Sequence, residues 1–303
     1  MSKRKHLWWV AVLALLAVFV GGILYARSSR PRLLGLSGSY LGQTPPGAEA
    51  TRFAPGVAPE DAHTAAVFSL DGSEVYWKAM EVPGDEIWYS RLRDGQWTAP
   101  RPVPFGTWFF DSDDPFFSSD GQRLYYTSWR PLLQTPFASK ERIWVVERRG
   151  RGWSRPRPVA GAVNDLPLHW QFSVAQDGTL YLAAEGVLYR SALVDGAYAA
   201  ADRVEPPVNS DAREGTPYIS PDERYLLFSS NRGGGGEDLY ASFRESGGSW
   251  SEPANLGPGV NSGGSEVCPV VSPDGRYLFY TSNRTGMASI YWVDASVIES
   301  LRP

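Results

Sequence analysis

The sequence predicts an all-β fold, a five-bladed β-propeller of four-stranded antiparallel blades preceded by one N-terminal transmembrane helix. Three observations support this prediction. One sequence pattern recurs five times, aromatic residues make up 13% of the 303 residues, and the chain contains 31 glycines and 24 prolines. Helix interiors exclude glycine and proline, which argues against a helical bundle. Abundant aromatic residues argue against disorder.

An uncharged apolar run at the N-terminus predicts a membrane segment. Residues 7–25 carry no charge and follow the basic residues Lys3, Arg4 and Lys5. Nineteen residues at about 1.5 Å each come close to spanning a hydrocarbon core of about 30 Å. A cleaved signal peptide is the alternative, but its apolar run is usually about 7–15 residues long and ends at an Ala-x-Ala-like site. We therefore expect residues 1–30 to form a single-pass signal anchor, with an extracytoplasmic body.

The charge of the body excludes one class of partner. The formal net charge of the chain is −4, and the first 30 residues hold five basic residues and no acid, so the remainder carries −9. Binding of nucleic acid depends on basic residues that neutralise phosphates. We expect no nucleic-acid partner. A single cysteine, Cys268, also excludes an internal disulfide framework.

The repeated pattern predicts the blades. Each copy is built around an Asp-Gly-like turn, with an apolar run before it, two aromatic-rich runs after it, and a last segment that opens with an aromatic residue. Short β-branched and aromatic runs bounded by turn residues are typical of strands. A spacing of 45 to 57 residues between turns suits four-stranded blades. The anchoring aspartates of the five turns are Asp71, Asp120, Asp177, Asp222 and Asp274.

The fifth copy lacks a fourth strand, and the N-terminal region supplies one. Residues 54–72 align without a gap with residues 257–275, which places residues 51–53 where a fourth strand belongs. A propeller closed in this way leaves only short sheet edges. We expect residues 31–61 to be a juxtamembrane spacer and blade-closing strand, and residues 62–303 to be the propeller. Six blades are the alternative, if residues 31–61 contain further strands.

The repeats resemble a known family. The sequences SPDGRYLFYTSNR in residues 272–284, WSEPANLG in 250–257 and YLGQTPPG in 40–47 are similar to the WD40-like propeller repeat of TolB-type bacterial proteins. The resemblance implies extracytoplasmic proteins that bind other proteins or small ligands. Related propellers are also fused to serine peptidases, but the sequence shows no hydrolase domain. A fold hosts many functions, so the resemblance indicates fold more strongly than activity.

Equivalent repeat positions predict a polar channel mouth. Eight residues before the anchors, at the start of each innermost strand, stand His63, Ser112, His169, Glu214 and Glu266. Asp113 and Asp114 follow in the second copy. The antiparallel second strand returns to the same end and carries, ten residues after the anchor, Arg130, Arg232 and Arg284. We expect imidazole, carboxylate and guanidinium groups to meet there as a ligand-binding site.

Two interpretations of this mouth stay open. The arginines and glutamates either pair to hold the blades together or bind a ligand, and the histidines are either structural or ligand-contacting. We expect no cofactor, although His63, His169 and Glu214 or Glu266 are chemically able to hold a divalent metal. No spacing such as His-Glu-x-x-His supports a metal.

The sequence favours a binding or scaffold module over an enzyme. We expect a membrane-anchored propeller that binds an envelope protein, a small molecule or a glycan. The alternative is a glycan-active enzyme, either a hydrolase using paired carboxylates or a metal-assisted uronate lyase in which arginine binds the sugar carboxylate.

Overall fold

Antiparallel strands form nearly all of the regular secondary structure among the described residues, which confirms the predicted all-β class. A computed structural model describes residues 33–79, 86–106, 110–132, 140–167 and 171–303. The predicted membrane segment 7–25 lies outside these ranges. Within them, no helix has the length and apolar character needed to cross a bilayer. The helical elements there are α1 (Ser296–Glu299) and two 3₁₀ turns, Tyr40–Gly42 and Ala162–Asp165.

The strands of the N-terminal region and of the first two blades follow the order of the repeats. The N-terminal region contains β1 (Leu33–Ser37) and β2 (Thr51–Arg52). Blade 1 contains β3 (Val67–Phe68), β4 (Glu74–Ala79), β5 (Glu86–Arg93), β6 (Gln96–Thr98) and β7 (Arg101–Pro102). Blade 2 contains β8 (Ser112–Phe117), β9 (Arg123–Ser128), β10 (Arg142–Arg149), β11 (Gly152–Trp153) and β12 (Arg157–Pro158).

The remaining strands form three further blades, which confirms the count of five. Blade 3 contains β13 (Phe172–Val174), β14 (Leu180–Ala184), β15 (Val187–Ser191), β16 (Leu193–Val194), β17 (Ala197–Tyr198) and β18 (Asp202–Arg203). Blade 4 contains β19 (Glu214–Ile219), β20 (Tyr225–Ser230), β21 (Asp238–Phe243) and β22 (Ala254–Asn255). Blade 5 contains β23 (Glu266–Val271), β24 (Tyr277–Ser282) and β25 (Ser289–Asp294).

The outer strand of a blade is interrupted, which the sequence did not predict. In blade 1, β6 pairs with the end of β5, whereas β7 pairs with the middle of β5, at Trp88 and Tyr89. Blade 2 repeats this arrangement with β11 and β12 on β10. Pro100 and Pro156 lie in the two gaps. Proline has no N–H to donate to a ladder, so the pairing breaks there and resumes one or two residues later.

The N-terminal strand closes the ring, as predicted. Strand β2 pairs with β25, with Thr51 opposite Trp292 and Arg52 opposite Tyr291. The Phe53 N–H then donates to the Ile290 carbonyl at 2.8 Å. Blade 5 therefore takes its outer strand from the front of the chain and its three inner strands from the end.

Residues 33–47, predicted as part of a spacer, are folded onto the closure. Strand β1 pairs with β6 at the edge of blade 1 and forms no sixth blade. The Trp97 indole N–H donates to the Gly38 carbonyl at 2.8 Å. The Tyr40 ring then packs 5.0 Å from the rings of both Phe68 in blade 1 and Tyr277 in blade 5. This segment, which we call the strap, therefore crosses the seam between the first and last blades.

One glycine lets the strap turn into the seam. Gly42 has φ +68°, and a Cβ at this position would lie 2.4 Å from the Ser37 carbonyl oxygen. Only glycine adopts this conformation without strain or collision. The turn places Leu41 in the core with no exposed surface.

We predict that the aromatic cluster behind the closing strand is essential to stability. Phe53 is 1% exposed, and its ring centroid lies 5.1 Å from that of Phe279 and 5.2 Å from that of Trp292. Phe53→Ala should lower the free energy of unfolding by about 3–5 kcal/mol, measured by denaturant titration of the detergent-solubilised chain. Leu70→Ala is the control, because Leu70 is 56% exposed and its loss should cost under about 0.5 kcal/mol. Equal effects of the two changes would contradict the closure model.

Candidate functional site at the propeller channel

The two predicted glutamates lie inside their blades. Glu214 has a fully buried side chain whose Oε1 lies 3.0 Å from Nη2 of Arg232 in the same blade. The Ser210 hydroxyl donates to the same oxygen at 2.7 Å. Glu266 is equally buried, accepts hydrogen bonds from the Ser262 N–H and hydroxyl, and lies 3.6 Å from Arg284. These four charged residues form two pairs within blades, as the blade-packing interpretation predicts.

The three predicted arginines share one partner type, the carbonyl of the preceding connection. Arg130 donates to the Phe105 carbonyl at 2.9 Å. Arg232 donates to the Val208 carbonyl at 2.5 Å, and Arg284 donates to the equivalent Val260 carbonyl. Each arginine thus ties the second strand of its blade to the loop that arrives from the blade before. Arg130 has no acidic partner among the described residues, and its guanidinium lies over the Trp144 ring.

A bulge in the innermost strands directs a different repeat position to the channel axis. The register of β8, β19 and β23 shifts after their first two residues. Asp114, Thr216 and Cys268, six residues before the anchors, have positive φ at these bulges. The Cys268 N–H donates to the Thr216 hydroxyl at 3.1 Å. Gln171 holds the same position in blade 3 and donates from Nε2 to the Pro269 carbonyl of blade 5 at 2.8 Å. Blades 3 and 5 are not neighbours, so this bond crosses the axis.

A cluster of one lysine and three acids occupies the polar end of the channel. The Lys78 ammonium of blade 1 donates to the Asp113 carboxylate of blade 2 at 2.5 Å. Asp114 is 5% exposed and accepts from the Thr127 hydroxyl at 3.4 Å. Glu141, half-buried at the start of the third strand of blade 2, lies within electrostatic range of Asp113 and Lys78. We call these four residues the polar cluster.

The acids of the polar cluster resist ionisation. Burial raises the pKa of Asp113, although the nearby Lys78 ammonium opposes the rise. Burial and the neighbouring Asp113 charge raise the pKa of Asp114 well above its usual range. Burial, together with Asp113, raises the pKa of Glu141 to about 7. Desolvation and like charges both favour the neutral form of a carboxyl group, so these three acids keep their protons to higher pH than free carboxyl groups do.

The structure brings only some of the predicted residues to this cluster. Asp113 and Asp114 belong to it. His63 is exposed and lies beside the cluster. Its carbonyl accepts a hydrogen bond from the Cys268 thiol at 3.2 Å, and its charge acts on Asp113. His169 lies outside the described residues. Glu214 and Glu266 are engaged within their blades instead.

Sequence reasoning missed Lys78 and Glu141. A signal for Lys78 was available, because the position seven residues after the anchor carries Lys78, Thr127, Ala184, Ser229 and Thr281. The one charged side chain among small ones marks a departure from the repeat. Glu141 follows an insertion that has no counterpart in the other copies, so the repeat gave no position for it.

The described residues contain no group of three or more His, Cys, Asp or Glu side chains arranged to hold a metal ion. Of the four predicted ligands, Glu214 and Glu266 accept hydrogen bonds within their blades, His63 is exposed, and His169 lies outside the described residues. The acids of the polar cluster are held by Lys78 and Thr127.

The other end of the channel is an apolar funnel of about 370 Å³. Residues from all five innermost strands and their turns line it, among them Leu70, Phe116, Val174, Tyr218 and Val270. Serines and the anchoring turns form its rim. The two ends of the channel therefore differ in chemistry: one is acidic and hydrogen-bonding, the other apolar.

Comparison with solved structures supports a propeller of the TolB type. A putative TolB from Agrobacterium tumefaciens matches with a TM-score of 0.51 and 20% identity over 76% of this chain and 76% of its own. TolB from Acinetobacter baumannii matches with a TM-score of 0.48 and 14% identity over 78% of this chain, which spans 53% of that protein. The catalytic domain of a Coprinopsis cinerea GH62 α-L-arabinofuranosidase has a TM-score of 0.48, 14% identity and coverages of 82% and 97%.

The match to the Agrobacterium tumefaciens protein, together with the sheet topology, defines the class of fold. The chain is a five-bladed β-propeller with the fold seen in TolB-type proteins. No protein-family model and no curated protein matches the sequence. The structural likeness at 20% identity establishes the fold alone.

We predict that Glu266 is required for folding. Glu266→Ala would leave the Arg284 guanidinium, whose side chain is 19% exposed, without its carboxylate. Removing one partner of a buried pair costs about 3–5 kcal/mol, and chemical denaturation should show a loss of this size. The control is Glu299→Ala, which removes a surface pair with Arg302 and should cost at most about 1 kcal/mol. A loss as small as that of the control would show that the pair does not hold the blade.

We also predict a pH dependence that originates at Glu141. Its folded pKa of about 7 lies above the ordinary glutamate value of 4.5, so the folded state binds the proton more tightly than the unfolded state. The proton therefore favours folding most at low pH, and this contribution declines between about pH 4.5 and 7. Glu141→Gln should remove the decline. The difference in unfolding free energy between the variant and the wild type should shift by about 1–3 kcal/mol in favour of the variant over this interval. A pH-independent difference would contradict the raised pKa.

Proposed function

We propose that the chain is a membrane-anchored, extracytoplasmic β-propeller that binds a protein or glycan ligand at the polar end of its channel. The polar cluster carries this proposal. Three carboxyl groups lie near one ammonium there: Asp113 contacts Lys78, and Asp114 and Glu141 lie within its electrostatic range. This arrangement costs stability because buried acids exceed buried bases. Strongly shifted pKa values in a cleft favour a functional site. The charges of Glu214 and Glu266, by contrast, each have a matching arginine and serve the blades.

The chemistry of the polar end favours a ligand that donates hydrogen bonds or carries positive charge. The Asp113 carboxylate accepts a hydrogen bond from Lys78, and a cationic group brought next to Asp114 and Glu141 would favour their ionised, hydrogen-bond-accepting form. Gln171 adds a further acceptor, because its Oε1 is buried and has no hydrogen-bond partner among the described residues. An ammonium or guanidinium group of a partner, or the hydroxyls of a glycan, would satisfy these acceptors. Exposed Trp129, beside the same end, adds an apolar contact.

The anchor is the part of this proposal that comes from the sequence. Residues 7–25 have the length and composition of a membrane span. The TolB-type fold occurs in a protein described as TolB from Acinetobacter baumannii. Alkaline carbonate extraction of membranes should leave the full chain in the pellet. Protease added to intact spheroplasts should digest the propeller. Release of the chain by carbonate, or full protection from protease, would overturn the anchored, extracytoplasmic arrangement.

We predict that substitution of Asp114 weakens partner binding without lowering the free energy of unfolding. Asp114→Asn removes a like charge beside Asp113 and should leave the unfolding free energy unchanged or raise it by about 1–2 kcal/mol. Chemical cross-linking in envelopes, followed by purification of the full-length chain, should recover a partner with the wild type and at least several-fold less with the variant. Glu252→Gln, on the exposed outer part of blade 4, should recover the wild-type amount.

Two outcomes would contradict this assignment. Equal recovery by wild type and Asp114→Asn would move the binding site away from the polar cluster. Loss of recovery with Glu252→Gln would show that binding follows overall charge instead.

A glycan-active enzyme is the second candidate, favoured by one observation. A carboxyl group with a pKa of about 7, as at Glu141, is matched to general acid–base catalysis near neutral pH. Purified protein incubated with uronate-containing glycans should generate new reducing ends or unsaturated products if this candidate holds. Binding of the glycan without any product would exclude the enzyme candidate and support the binding function.

A further inference from the structure

Arginines are concentrated on the outer edge of blade 2. Residues 142–157 contain six arginines and one glutamate, in a chain body of net negative charge. Four of the arginines are exposed, and we call them the basic edge: Arg149, Arg151, Arg155 and Arg157.

The basic edge keeps most of its charge unpaired. Glu147 accepts from both Arg149 and Arg157 at 3.0 Å, so two guanidiniums share one carboxylate. Arg151 and Arg155 have no acidic partner within the described part of the chain. An excess of positive charge therefore faces solvent along the β10–β12 edge.

The N-terminal strand β1 lies at the outer edge of blade 1. Strand β1 pairs with β6, and Gln96 of β6 lies opposite Arg93 of β5. Arg93 and Arg151 line the same cleft, of about 850 Å³, between blades 1 and 2. The last residue of β1, Ser37, lies opposite Gln96 beside this cleft, and Leu33, opposite Thr98, lies two residues of β6 farther along the same edge.

The tether to the predicted membrane segment is short and basic. Seven residues, 26–32, separate residue 25 from β1, and a chain of that length spans at most about 25 Å. Arg27, Arg30 and Arg32 are among these seven residues. A membrane anchor formed by residues 7–25 would therefore hold the edge of blade 1 near the surface of the bilayer, where anionic headgroups attract arginine.

We propose that the basic edge docks on anionic lipid headgroups, so that the propeller stands on the bilayer by the outer edges of blades 1 and 2. The proposal rests on the membrane anchor of the proposed function. Each arginine near an anionic surface should increase the docking equilibrium roughly fivefold. The attraction falls off within a Debye length of about 8–10 Å, so salt weakens it.

The test compares full-length protein in two kinds of nanodisc, one of phosphatidylcholine alone and one with 30% phosphatidylglycerol. Hydrogen–deuterium exchange is measured for peptides that cover residues 147–158. We expect exchange to be at least several-fold slower in the anionic nanodiscs at low salt. Exchange should return to the phosphatidylcholine rate at 0.5 M NaCl.

A charge variant and a matched control complete the test. The variant R149Q/R151Q/R155Q/R157Q should lose the lipid-dependent protection. Four exposed arginines of blades 3 to 5 provide a control with the same change in net charge: R190Q/R203Q/R224Q/R276Q. The control should keep the protection. The salt and lipid dependence of the wild type tests the proposal even if the first variant fails to fold.

The outcomes separate docking from anchoring. If carbonate extraction releases the chain from vesicles, the anchor of the proposed function fails. If the chain stays in the bilayer but residues 147–158 exchange equally in both lipids, the docking proposal alone fails. Protection lost equally in the variant and the control would also overturn it, since attraction would then follow net charge and not this edge.

Discussion

The pairing of β2 with β25 is the contact on which the rest of the propeller depends. It joins residues from the two ends of the domain, Thr51 and Trp292, so the loop it closes is long and its entropic cost is high. Two hydrogen-bonded residues do not offset that cost alone. Phe53 and the strap add buried aromatic surface on both sides of the seam, with Tyr40 in contact with blades 1 and 5. Without this closure, neither channel end would have a complete wall.

Polar groups that recur in the repeat hold successive blades in the ring. The arginines at positions 130, 232 and 284 each bind a carbonyl of the preceding connection. Each third strand of blades 2 to 4 donates the N–H of its second residue to an asparagine side chain at 2.8 Å; these asparagines are Asn164, Asn209 and Asn261. Because these groups repeat with the blades, their contacts are architectural. The polar cluster is different, since Lys78 and Asp113 occur in single copies and join two blades through side chains alone. A departure from the repeat is therefore the better guide to function.

The sequence predicted the blades, their number and their closure because these follow from the phase of the repeat. Turn residues set the phase, and the gap-free alignment of residues 54–72 with 257–275 located the closing strand. The phase of the repeat did not predict the direction in which the side chains at the channel mouth point. The bulges at Thr216 and Cys268 rotate the strand, so Glu214 and Glu266 face the blade, and the position two residues later reaches the axis. The contacts of the strap could not be predicted from the sequence either, because they depend on the seam between blades 1 and 5 and the strap has no repeat pattern of its own.

Edge docking and channel binding are compatible because they use perpendicular directions of the molecule. In a propeller the outer strands face sideways, whereas the channel opens along the axis. A propeller that rested on blades 1 and 2 would hold its axis roughly parallel to the bilayer, so the two channel ends would face sideways, with the cleft that holds Arg151 adjoining the funnel rim at Leu70 and Asp120. Docking on either face would cover one of them. Under these two proposals the uneven charge of the chain has a physical reason: the basic edge would meet anionic lipid, and the acids of the channel would meet the ligand.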